Sequence, residues 1–85
     1  MPIPNNMQRT HVLNVIRQID AGRIIPSRRH ARKVALRSNQ RDYPVKILIS
    51  WGHEVATGRE LNYKSFVTQE ALKYLTNLGF TVVYF

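Results

Sequence analysis

Cysteine is absent from this 85-residue chain, which excludes disulfide frameworks, cysteine nucleophiles and the commonest structural zinc sites together, and is compatible with a reducing cytosol. Acid is scarce. Five Asp and Glu stand against thirteen Lys and Arg, leaving a formal charge of +8 and an isoelectric point near 10.7. Such a balance suits polyanions, with an anionic membrane surface as the lesser alternative. Residues 1–8 hold two prolines and no long apolar run, so they read as neither a signal peptide nor a membrane anchor. They are expected to form a flexible leader to a single basic domain spanning 9–85, with the cytoplasm as the default compartment. One domain of this length closes a modest core and spares little of it for a deep substrate cavity.

What is present is apolar periodicity. Thr10 is placed to cap a first helix in which Val12, Leu13, Ile16 and Ile19 share one face, and Gly22 follows the last turn. Ile24-Ile25-Pro26 forbids continued helix. Lys33-Val34-Ala35-Leu36-Arg37 alternates charge with hydrophobe, Ser38-Asn39-Gln40 has turn composition, and Arg41-Asp42-Tyr43 returns as a second strand; a hairpin is the preferred reading, although a helix over 28–36 also fits. From Pro44 to Thr57, Val45, Leu48, Ile49, Gly52, Val55 and Ala56 recur at helical spacing, Trp51 adds apolar surface on a second side, and Gly58 closes the end. A third helix starts near Thr68 with Ala71, Leu72, Leu75 and Leu78 on one face, stopped by Gly79-Phe80, and Thr81 to Phe85 suits one strand. The fold class is therefore α+β, with three helices on a small antiparallel sheet made of the hairpin and the C-terminal strand. Winged-helix proteins use similar parts in another order, so a related arrangement offering a helix and a basic hairpin to a duplex is one form the fold can take.

Reactive groups do not converge along the sequence. His53-Glu54 lacks the second histidine one turn on that a zinc-protease helix needs, and His11, His30 and His53 fall in different elements. Lone imidazoles of this kind read as surface or half-buried residues rather than metal ligands. Glu54 and Glu60 lie across the end of a helix, where ion pairs with Arg59 or Lys46 suit them better than acid–base work. Ser27, Ser50 and Ser65 have no glycine elbow, and Thr57-Gly58-Arg59 is too short for a phosphate loop. No catalysis, metal or cofactor is expected of this chain.

The segment from Arg28 to Arg41 points elsewhere. Its fourteen residues hold six of the thirteen positive side chains and no acid. A solvated basic loop is the general explanation of a charge run, but the lack of interspersed acid favours a surface built for an anionic partner. Arginine forks bind phosphate oxygens bidentately and also read guanine edges. Arg28, Arg29, Arg32, Lys33, Arg37 and Arg41, followed by Lys46 on the next helix, are the expected nucleic-acid contacts, with duplex DNA as the expected partner. Tyr43, Trp51, Tyr63 and Tyr74 are candidates for base stacking, yet Trp51 reads first as core.

Thr10-His-Val-Leu, Ile19-Asp20, Pro26-Ser-Arg28, Tyr43-Pro-Val-Lys46, Ile49-Ser50, Ala56-Thr-Gly58, Glu60-Leu61, Phe66 and Leu78-Gly-Phe80 occur in an order that resembles the N-terminal head domain of McrA-like HNH restriction endonucleases. The resemblance spans residues 10–83. It implies an accessory module of restriction systems that act on modified DNA, in which a separate HNH domain cuts, with Lys46 as a backbone contact. Val45 replaces the family's usual second proline, His53 and Glu54 occupy a stretch that is commonly small or polar, and Val67-Thr68 replaces a frequent glycine pair. No HNH metal motif lies within these residues, so neither cleavage nor modified-base specificity transfers. The leading expectation is a non-catalytic DNA-binding module linked to restriction or phage defence. The alternative is a protein-binding module, such as a counter-defence inhibitor or an accessory subunit that docks on a nuclease.

Overall fold

A computed structural model describes residues 3–4, 6–25 and 33–85. In chain order the elements are α1 (Arg9–Asp20), β1 (Val34–Ser38), β2 (Arg41–Tyr43), α2 (Val45–Thr57), a 3₁₀ turn (Tyr63–Ser65), α3 (Thr68–Asn77) and β3 (Thr81–Tyr84). Among the described residues the expected α+β class and three-helix, three-strand inventory hold, and a 3₁₀ turn that the periodicity does not announce is added. The order differs from that of a winged helix, because the hairpin falls between the first and second helices.

The sheet is antiparallel with order β2-β1-β3. Ser38 pairs with Arg41, so the hairpin turns on Asn39 and Gln40 alone, and both have positive φ, 52° and 65°. That is the primed two-residue turn whose twist matches the flanking strands. Leu36 lies opposite Tyr43 on one side and Val82 on the other, and these residues face the helices. Strand alternation sends Lys33, Ala35, Arg37, Asp42, Thr81, Val83 and Phe85 to the opposite, outer face. Consistent with this, Ala35 is buried but takes no part in the main core cluster.

The core lies between the sheet and the helices and is dominated by α2, which contributes Val45, Ile47, Leu48, Ile49 and Trp51. Pro44 sits immediately before the first helical residue with extended ψ, and Gly58 ends the helix at φ 87°, its N–H reaching Glu54 O at 2.8 Å. A second glycine stop ends α3. Phe80 N–H returns to Leu75 O at 3.1 Å and Gly79 adopts φ 91°, which delivers the Phe80 ring to the core.

Two expectations about the N-terminus are corrected. Helix α1 begins one residue before Thr10, and its start is closed by His11, whose Nδ1 accepts the Gln8 N–H at 2.9 Å. Ile3 and Met7, read as part of a leader, are each only 4% exposed and belong to the core. Met7 lies against the backbone of α2 at Gly52, where a Cβ would stand 2.5 Å from its sulfur. Tyr74 fastens the same segment, since its Oη accepts the Met7 N–H at 3.2 Å and lies 3.1 Å from Met7 O. Two isolated apolar residues among prolines and asparagines show no periodicity, which is why sequence reading missed their burial.

Candidate nucleic-acid interface

Of the seven expected contacts, Arg28, Arg29 and Arg32 lie outside the described residues. The other four are not gathered into one grip. Lys33 and Arg37 share the outer face of β1, both exposed. Arg41 is on the opposite side of the sheet, because a two-residue turn puts it in register with Ser38 and sends its side chain toward the helices. There its Nη1 meets Asp20 Oδ1 at 3.0 Å, at the C-terminal end of α1. Lys46 rides on the helical layer, half-buried, with its Nζ 4.9 Å from the ring centre of Phe66 and 5.6 Å from that of Tyr63. Its ammonium is thus placed over aromatic faces, in cation–π contact.

Acid also enters the cluster from just beyond its end. The acid-free run stops one residue short of Asp42, and Asp42 faces Arg37 directly across the hairpin. The contact is two-pronged, with Nε to Oδ1 at 2.8 Å and Nη2 to Oδ2 at 3.2 Å. Hydrogen bonding from Arg37 holds the Asp42 carboxyl below its ordinary range and pushes the guanidinium up in return. Asp20 is lowered first by the Tyr43 hydroxyl, which donates to Oδ1 at 2.7 Å, and then by Arg41. Burial, followed by this bond to a carboxylate, raises the Tyr43 phenol. Both carboxylates are accordingly ionised through the neutral range.

Glu54 is taken up by neither Arg59 nor Lys46. It pairs with Arg23 at 3.0 Å, and the Arg23 guanidinium lies over Trp51, 3.6 Å from the ring centre. This staple binds the exit of α1 to α2, and sequence spacing gave no sign of it. Glu70 accepts the Val67 N–H at 2.9 Å at the start of α3, and Glu60 is also engaged. Every carboxylate of the chain therefore has a partner. Among the described residues none pairs with Arg17, Lys33, Arg59, Lys64 or Lys73.

His53 Nδ1 lies 2.6 Å from Arg59 O and Thr57 Oγ1 donates to His53 O at 2.8 Å, so this histidine helps close α2. No group of three His, Asp or Glu among the described residues is placed to hold a metal ion. No described helix is long and apolar enough to cross a membrane.

A small basic α+β domain emerges, with its helices on one side of a three-stranded sheet and the exposed Lys33 and Arg37 on the other. The chain belongs to the family of ScoMcrA-like N-terminal head domains, whose model matches residues 5–84. Neither a curated protein nor a solved structure matches it. The residues that carried the resemblance turn out to be largely ties within the scaffold. Asp20 and Tyr43 bond to each other, Leu61 N–H reaches back to Ser50 O at 3.2 Å, and Gly58 and Gly79 end helices.

Proposed function

We propose that this chain is a non-catalytic, cytoplasmic DNA-binding module of a restriction-type defence system, and that it contacts a duplex through Arg28, Arg29, Arg32, Lys33 and Arg37, the first four on phosphates. The observation that carries this reading is the uncompensated charge. All five carboxylates are engaged while the net charge stays at +8, and Lys33, directly following the basic residues 28–32, opens onto the outer sheet face without an acidic partner. The positive charge left over once the five carboxylates are engaged favours a polyanion. Membership of a head-domain family of restriction enzymes supports DNA as that polyanion. Arg41 and Lys46 drop out of the proposed grip, the first because it is committed to Asp20 on the other side of the sheet, the second because it sits on the helical layer.

Titration against duplex DNA, single-stranded DNA and RNA at several salt concentrations tests this. Four to six phosphate contacts give a slope of about −4 to −5 in log affinity against log salt. Replacing Arg28, Arg29, Arg32 and Arg37 together with alanine should abolish most binding while leaving the melting temperature nearly unchanged, since exposed charges contribute little to folding. A salt-independent affinity, or binding that survives the quadruple replacement, rejects the reading. A rival, docking on a nuclease, draws support from the exposed aromatic residues Tyr84 and Phe85 at the end of β3. It calls instead for tight association with a protein at salt high enough to strip DNA.

A further inference from the structure

The contact between Arg37 and Asp42 contradicts a simple phosphate grip and suggests a more exact use. A carboxylate beside a guanidinium repels an approaching phosphate, but it does not oppose a neutral base edge. It also fixes the guanidinium plane. Asp42 takes up the side edge of the fork, formed by Nε and Nη2, and leaves the end edge, Nη1 with the second hydrogen of Nη2, without a partner among the described residues. That end edge is the half of the group that donates bidentately to O6 and N7 of guanine.

The surroundings suit the approach of a groove. The Arg37 side chain is half exposed, at 50%. Its cross-strand neighbour on the outer face is short and exposed: Thr81 lies directly opposite on β3. The exposed Thr81 methyl can meet a thymine methyl, and a side chain of this size does not hold the strand off the bases. Lys33 lies four residues along the same face, about 13 Å away at strand rise, comparable with a major groove about 12 Å wide. Antiparallel strands are an established way of entering that groove.

Resting on the reading of the chain as a DNA-binding module, we propose that Arg37 reads a guanine in the major groove, that Asp42 is its positioning residue, and that Lys33 takes a phosphate at the groove's rim. Binding of a duplex pool with a randomised centre, followed by sequencing of the retained fraction, should yield a motif containing guanine. Replacing that guanine with 7-deazaguanine, which lacks the N7 acceptor, should weaken binding to the selected duplex at least fivefold. Arg37→Lys keeps the charge but lacks the fork. It should erase the guanine preference, a loss of about 5- to 150-fold in discrimination, while the salt slope stays as in the wild type. Asp42→Asn should lower discrimination and raise affinity for duplexes without the motif. Circular dichroism on both variants confirms the fold, which an exposed pair should not disturb. Retained duplexes without a guanine preference, or an Arg37→Lys variant that still discriminates, overturn the assignment while leaving DNA binding standing. So does an Asp42→Asn variant that gains equally on all duplexes, since Asp42 is then only a competitor for phosphate. Failure of every duplex to bind overturns the DNA-binding reading itself, and this assignment with it.

Discussion

Met7→Ala is the most direct probe of how this domain is built. The thioether is 4% exposed, joins the main core cluster and lies over the Cα of Gly52, so the substitution removes three heavy atoms from a packed site on the central helix. Buried methionine-to-alanine changes cost about 2–5 kcal/mol, and a site near the chain terminus, free to collapse partly, should fall at about 2–3 kcal/mol. In a domain of this size each kcal/mol moves the melting temperature by about 4–8 °C, so a drop of about 8–24 °C is expected. Urea titration followed by Trp51 fluorescence should show a lower midpoint with an unchanged slope. Gly52→Ala supplies the reciprocal arm. Its new methyl collides with Met7 in the wild type but has room once Met7 is alanine, so the two substitutions should be non-additive by about 1 kcal/mol, the double variant being more stable than the sum predicts. If Met7→Ala shifts stability by less than about 0.5 kcal/mol and the cycle is additive, the segment before α1 is not part of the core and the leader interpretation is restored.

Other expectations are checked by similar means. Trp51→Ala should cost about 3–5 kcal/mol by urea titration followed by circular dichroism, because it empties a buried site and removes the surface on which Arg23 stacks. Gln40→Gly should stabilise the domain by about 1 kcal/mol, since Gln40 holds φ 65°, where a side chain is strained and glycine is not; an unchanged or lower midpoint would speak against that turn geometry. Asp20 and Asp42 are both lowered from an ordinary value of 3.8. Their contribution is therefore fully present above that value and disappears as pH falls through the lowered folded values. Tyr43→Phe, which removes the largest cause of the shift at Asp20, should make the acid limb of a stability–pH curve shallower.

Much of the architecture was legible because it depends on local chemistry. The alternation in 33–37, the turn residues after it, Pro44 before α2 and the glycines at 58 and 79 each act within a few residues, through side-chain periodicity or a backbone conformation that glycine tolerates best. The candidate site was less legible, although one signal was in reach. Once the hairpin turns on two residues, Arg37 must oppose Asp42 and Arg41 must point the other way, because strand side chains alternate. Counting charge along the run, rather than across the register, hid that division.

By itself, then, the sequence determined an acid-poor, cysteine-free α+β domain, its three helices and three strands, and a net charge suited to a polyanion. Tertiary structure alone decided that Ile3 and Met7 enter the core, that Arg23 closes over Trp51, and that Asp20 takes up Arg41. The physical reason is range. Periodicity and backbone preference are properties of neighbours in the chain, whereas ion pairing and burial depend on which distant segments meet, as Asp20 meets Arg41 and Tyr43, and Tyr74 meets Met7.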